Sequence, residues 1–312
     1  MHERLAGFSR QRVDVGEAMI NTLACGKGEP LLLLHGYPQT HMMWHKVAPR
    51  LAEKYTVVLT DLRGYGDSSC PEAGPDHMGY SKRKMAEDQV KVMEKLGFKT
   101  FFLAGHDRGA RVCHQMMLDH ADRIRRAVLL DVIPTPDMYE RVDMEFGAIY
   151  YHWFFLIQKH DFPERLIGSD PERIVRAFIQ WLSNNREVFP DDVMQHYIEK
   201  FSNPQVIHAT CEDYRAGATV DMEHIRSGGK VQTPLFVLWG APGLRRYDVL
   251  EIWRQRARAV SGFLVEESGH YIAEEAPELT IRAIEEFLSA NTDVMSEEQI
   301  RKIKQGSEAL VP

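Results

Sequence analysis

The sequence predicts an α/β fold, a doubly wound and mostly parallel sheet with an inserted all-helical cap. Four short, continuous apolar runs in the first 135 residues alternate with helix-like stretches. That is the pattern of strands covered on both faces by crossover helices. From Pro134 to Gly229 strand-like runs cease and aromatic-rich helical stretches take over. Two strand-like runs then follow, so the helical block interrupts one core and is not a separate C-terminal domain.

The strand candidates are LLLLHG (31–36), YTVVLTDL (55–62), FFLAGHD (101–107) and RAVLLDVI (126–133). Between the second and third, SKRKMAEDQVKVMEKLG predicts a helix closed by Gly97. MEFGAIYYHWFFLIQ, RIVRAFIQWLS and VMQHYIEKFS are each read as helix. TPLFVLWG (233–240) and GFLVEESGH (262–270) return to strand, and PELTIRAIEEFLSA to helix. SEEQIRKIKQG opens with a capping-box pair, Ser296 and Gln299, and predicts a short polar helix or a mobile tail. The boundaries drawn are core 1–134, cap 135–229, core again 230–290 and tail 291–312.

The 312 residues, 44% of them hydrophobic, suffice for a sizeable core. A formal net charge of −7 argues against nucleic-acid binding, which needs a basic face. It also means that any bound anion must be held by local cations, not by the overall field. Four cysteines (Cys25, Cys70, Cys113, Cys211) at wide spacings without CxxC predict reduced thiols, not disulfides or zinc. MHERLAGFSRQRVDV has no apolar signal core, and no segment approaches the roughly 20 apolar residues that span a bilayer. A cytoplasmic protein without a membrane partner is expected.

GHDRG (105–109) directly follows FFLA and precedes ARVCHQMMLDH. It has the form of the nucleophile elbow G-x-S-x-G, with Asp107 in the serine position. The glycines allow strand and helix to approach around a strained turn. A carboxylate nucleophile selects the reaction class: it displaces a leaving group at saturated carbon, and water then attacks the resulting ester. That water needs a base, and His270 follows the last strand. Asp131, ending RAVLLD, is the expected orienting acid; Asp248, the first acid after LFVLWG, is expected inside a helix. HGYP (35–38) is expected to bring the Tyr37 N–H to an oxyanion hole, with Arg108 supplying the second N–H. Such donors stabilise a transition state by roughly 3 kcal/mol each. His41 and His45 have the i, i+4 spacing of a zinc pair but lack the Glu of HExxH, and read as structural. DLRGYGDS (61–68) reads as architecture.

HGYP, DLRGYGDS, GHDRGAR, LLDVIPT, YHW and GHYIAEEAPE together resemble the haloacetate dehalogenases of the fluoroacetate type, which have the α/β-hydrolase fold, and span most of residues 30–285. Haloalkane dehalogenases usually carry Trp after the nucleophilic Asp. Here Arg108 stands there, with Arg111 one helical turn on, and two guanidiniums suit a substrate carboxylate. The resemblance implies that His152, Trp153 and Tyr214 receive the halide, each offering an N–H or O–H. Tyr150, Tyr151 and Tyr197 are alternatives to Tyr214, and Trp181 either lines the pocket or packs the cap. It further implies hydrolysis of a small anionic substrate, haloacetate, to glycolate and halide, with no metal or organic cofactor, by a homodimer. An epoxide hydrolase shares the Asp nucleophile, the His base and HGxP, and uses two cap tyrosines; an uncharged epoxide has no need of Arg108 and Arg111. A non-catalytic receptor of the same fold is disfavoured by the complete nucleophile, base and acid.

Overall fold

The computed structural model describes residues 3–240 and 242–306. Eight strands form one sheet: β1 (Ser9–Asp14), β2 (Met19–Cys25), β3 (Pro30–Leu34), β4 (Thr56–Thr60), β5 (Phe101–His106), β6 (Ile124–Leu130), β7 (Leu235–Trp239) and β8 (Val260–Leu264). Their order across the sheet is β1-β2-β4-β3-β5-β6-β7-β8. β1 pairs with β2, and β2 with β4, in antiparallel fashion, while every pair from β4 through β8 is parallel.

The six predicted runs correspond to β3 through β8. All positions of β3 and β5 are buried, as strands sandwiched between helices must be. β1 and β2 went unread. In β1, SRQRVD buries only Val13, so this edge strand presents no apolar run to detect. The helix predicted before Gly97 spans Lys82–Lys95, with Ser81 capping its start and Gly97 at φ 89 beyond its end.

Between β6 and β7 the described chain runs through helices alone, from Thr135–Tyr139 to Val220–Ser227. The expected continuous helix across 144–158 is broken at Tyr150 into Met144–Ile149 and Tyr151–Leu156. The break has a geometric reason. In an uninterrupted helix residues 150 and 152 would point about 200° apart, yet both line the same cavity.

Asp248 is not interior to a helix: it is the N-cap of Val249–Arg256, its carboxylate accepting from Glu251 N–H at 2.9 Å. Ser296 and Gln299 form the predicted capping box and open the helix Glu297–Gln305, which packs Ile303 inward; residues 307–312 lie outside the described residues. The four cysteines are free thiols. Among the described residues, no helix is long and apolar enough to cross a membrane.

Candidate active site

β5 delivers its last residue into a turn where glycine is required on both sides. A Cβ on Gly109 would lie 2.3 Å from the His35 carbonyl oxygen, and one on Gly36 2.6 Å from Asp107 Cβ. Asp107 itself adopts φ 47, a left-handed conformation that costs a non-glycine residue about 1–3 kcal/mol. The strain sets its carboxylate at the start of the helix Asp107–Asp119, whose dipole favours negative charge. The Tyr37 N–H donates to Asp107 Oδ1 at 2.9 Å. The Arg108 N–H, the other expected donor, follows in the first turn of the same helix.

Asp131 is the second acidic residue held at positive φ (51), immediately after β6. Its Oδ1 accepts from Gly240 N–H at 2.9 Å. Its Oδ2 lies 2.5 Å from His270 Nδ1. A carboxylate only accepts, so Nδ1 carries the proton and Nε2 is the nitrogen left for chemistry. β7 alone separates β6 from β8 in the sheet, and the loop after β8 brings His270 back to the acid that follows β6.

Electrostatics separate these groups. Burial pushes the Asp107 carboxyl up, but His270, His106, Arg111 and Arg108 outweigh it and hold the group at about 2. Burial pushes His270 down, but the bond to Asp131 and the charges of Asp131 and Asp107 outweigh it and leave the imidazole above its ordinary value. The site therefore holds an ionised Asp107 beside a histidine whose protonated form its acidic neighbours favour.

These residues open into a cavity of about 20 Å³. The core contributes Tyr37, Asp107, Arg111, Asp131, His270 and Tyr271 to its wall, and the helical insertion contributes Tyr150, His152, Trp153, Phe178, Leu182 and Tyr214. The two arginines expected to act alike are placed differently. Arg111 lines the cavity, with its guanidinium carbon 4.6 Å from the centre of the Trp153 ring. Its Nη1 donates to the Ile133 carbonyl (3.1 Å) and Thr135 Oγ1 (3.0 Å), and its buried Nε has no protein partner. Burial and Arg108 lower it to about 10, so it stays charged at neutral pH.

Arg108 is turned onto Asp213. Its Nε and Nη2 donate to the two carboxylate oxygens at 2.9 and 2.8 Å, and its guanidinium lies 4.1 Å over the Tyr214 ring. Asp213 is also bonded to Lys82 and, at 2.6 Å, to Tyr65 Oη, all buried. Arg108 is not on the cavity wall; its charge acts on Asp107 from behind it.

Burial drops His152 to about 3, so it is neutral, and its Nδ1 has no protein partner. Tyr214 lines the cavity, while Tyr151 is 47% exposed and Tyr197 donates to Glu274 at 2.9 Å. Trp181 is 61% exposed and does not line the cavity. Sequence reasoning offered Tyr150 only as an alternative to Tyr214, and both line the cavity; it missed Tyr271 and the side chain of Tyr37. The buried hydroxyls of Tyr37 and Tyr271 have no protein partner. Tyr271 was open to detection as the neighbour of His270. His106 was missed too; its Nε2 donates to the His270 carbonyl at 2.8 Å, which fixes the backbone behind the base.

His41 Nδ1 bonds Asp61 at 2.8 Å and His45 Nδ1 the Met42 carbonyl at 3.0 Å, two separate tethers. Asp61 also accepts from Asn21 and from Asp67 N–H, giving the 61–68 loop its shape. Asp161, Glu164 and His208 bring possible metal-ligand atoms within 4.8 Å of one another, but none lines the cavity and Glu164 is held by Arg215 at 2.7 Å.

A family profile described as alpha/beta hydrolase fold matches residues 29–277. The chain is 43% identical over 288 residues to a fluoroacetate dehalogenase from Burkholderia sp, covering 91% of this chain and 94% of that protein. It is 32% identical over 281 residues to a soluble epoxide hydrolase from Corynebacterium sp. (strain C12), covering 88% and 96%. Among solved structures it resembles one from Nostoc sp PCC 7120, described as an alpha/beta hydrolase, with TM-score 0.89, 53% identity and coverage of 90% and 98%.

Proposed function

The chain belongs to the α/β-hydrolase fold family, and from that premise we propose that it hydrolyses the carbon–halogen bond of a haloacetate through an ester on Asp107. The observation that carries this reading is Arg111: a buried cation on the wall of the cavity that holds Asp107, with its Nε unpartnered by protein. A buried, unpaired donor of this kind is costly unless a ligand satisfies it, and a carboxylate does so with charge-assisted bonds. Cavity size supports a small substrate. The cavity, about 20 Å³, is small and leaves no room for a bulky ligand.

In the proposed reaction Arg111 holds the substrate carboxylate, and Arg108, fixed by Asp213, adds positive potential. Asp107 Oδ2, the oxygen not engaged by Tyr37, attacks the carbon bearing the halogen. The carbon–halogen bond breaks, and the halide leaves with its electron pair toward His152, Trp153 and Tyr214. Burial keeps the Tyr214 hydroxyl protonated, and His152 stays neutral, so both remain donors. Fluoride departs poorly unless such donors meet it.

Esterification removes the Asp107 charge that favours the protonated imidazole, and the neutral form of His270 is the base of the second step. His270, held at Nδ1 by Asp131, then takes a proton from water at Nε2. The hydroxide adds to the Asp107 carbonyl carbon, and the oxyanion sits where the Tyr37 N–H already points. Collapse passes the remaining water proton to the departing glycolate oxygen, returns Asp107 as a carboxylate with one oxygen from water, and leaves the abstracted proton on His270 to be lost to solvent. Fluoride-electrode and chloride assays on fluoroacetate and chloroacetate test the reading, with Asp107→Asn as the blank. Halide release that survives in Asp107→Asn, or is missing from the native protein, rejects it.

A second reading, epoxide hydrolysis, is favoured by one observation: two tyrosines of the insertion, Tyr150 and Tyr214, line the cavity. Diol formation from styrene oxide without halide release from haloacetate would select it.

A further inference from the structure

The consecutive glutamates of AEEAPE stand outside the chemistry above, yet one of them brackets the base. Glu275 ends the short helix Ile272–Glu275. Its Oε1 accepts from Gly269 N–H and Tyr271 N–H, both at 3.1 Å, on either side of His270. Its Oε2 accepts from Asn184 N–H (2.6 Å) and Asn185 N–H (2.9 Å), which belong to the helical insertion. Around this carboxylate the two parts are stitched further. The His270 N–H donates to the Leu182 carbonyl at 2.8 Å, and Asn184 Nδ2 to the Glu267 carbonyl at 2.9 Å. The approach leaves no slack: a Cβ on Gly269 would lie 2.4 Å from the Leu182 oxygen. Leu182 itself is on the cavity wall. Glu274 forms a parallel tie, accepting from Tyr197 Oη of the insertion at 2.9 Å and bonding Gln39, two residues after Tyr37.

We propose that Glu275 is a positioning residue that makes the placement of the base His270 depend on the insertion being seated over the cavity. A carboxylate only accepts, and here each oxygen takes two N–H donors. A glutamine would turn its amide hydrogens toward one of those donor pairs, which frees either the peptides around His270 or the insertion. Asp131 would still hold Nδ1, but the backbone carrying the imidazole would no longer be referenced to the cavity roof. The inference rests on the ester reading above, in which only the second step uses His270. It follows that loss of the tie slows ester hydrolysis and spares halide displacement.

The test uses the full-length protein with Glu275→Gln, and Glu275→Asp as a charge-retaining variant of shorter reach should the glutamine form fail to fold. Rapid-quench measurement with chloroacetate is expected to show a chloride burst near one per site, then a steady state about 10–100-fold slower than native, as for a misplaced catalytic group, with ester accumulating on Asp107. Equal slowing of both phases, or an unchanged steady state, overturns the proposal. Hydrogen exchange without substrate supplies an independent readout. The amides at 184–185, those at 269–271, or both sets must lose protection relative to native, and unchanged protection on both sides overturns the tie. Native protein that releases no halide would reject the dehalogenase reading while leaving this second readout decisive for Glu275.

Discussion

Asp131 Oδ2 lies 2.5 Å from His270 Nδ1, while the other oxygen of the same carboxylate is held by the Gly240 N–H that follows β7. The acid is thus anchored to the strand lying between its own strand and that of the base. Asp131→Asn is expected to lower ester hydrolysis by about 10³–10⁴, the loss seen when an orienting acid becomes an amide that favours the wrong tautomer. Halide displacement, which does not use His270, should change far less. Single-turnover rates for the two steps check this.

The pH behaviour follows from the same pair. The folded-state value of His270 is raised, first against burial by the Asp131 bond and then by Asp131 and Asp107. Its contribution to stability is therefore full below the ordinary value near 6.5 and is lost as pH rises through the folded value. NMR titration of the free protein should place His270 above 6.5, and Asp107→Asn should bring it down by removing a negative neighbour. An upward shift in that variant would contradict the influence of Asp107 on the imidazole. Asp107, held at about 2, contributes stability above the ordinary carboxylate value that is lost only as pH falls toward 2.

The two arginines should separate in mutagenesis. Arg111→Met removes the cation on the cavity wall and should cost about 1.5–3 kcal/mol of substrate binding, read as a rise in KM of roughly 10- to 150-fold with folding retained. Arg108→Met instead strips a partner from buried Asp213 and should destabilise the fold by about 3–5 kcal/mol. Denaturant unfolding beside steady-state kinetics distinguishes the two. Equal stability losses would contradict the placement of Arg108.

Gly36→Ala would put a methyl 2.6 Å from Asp107 Cβ, so the nucleophile must shift. A displacement of that order is expected to slow halide displacement about 10²-fold, visible as a smaller and slower burst.

Much of this was legible in the sequence, and the exceptions have physical causes. β3 through β8 announce themselves because burial on both faces demands unbroken apolar runs; β1 buries only Val13 and so carries no such signature. Asp107 and Asp131 were legible because each directly follows a recognisable strand, and His270 because it lies in the loop after the last one. The commitment of Arg108 to Asp213 joins residues 105 positions apart, a pairing no local pattern encodes. Likewise Tyr150 and His152 share the cavity across a helix break at Tyr150, which no apolar pattern marks. Asp248 was misplaced by one step, from helix interior to N-cap, since periodicity marks a helix better than its first residue.

An ester on Asp107 leaves its record in where the oxygen of water ends up. A single turnover of haloacetate by excess protein in 18O-water should place the label in the Asp107 carboxylate, detected by peptide mass spectrometry, and leave the glycolate hydroxyl unlabelled. Label in glycolate with Asp107 unlabelled would rule out the ester, because water would then have attacked the substrate carbon itself.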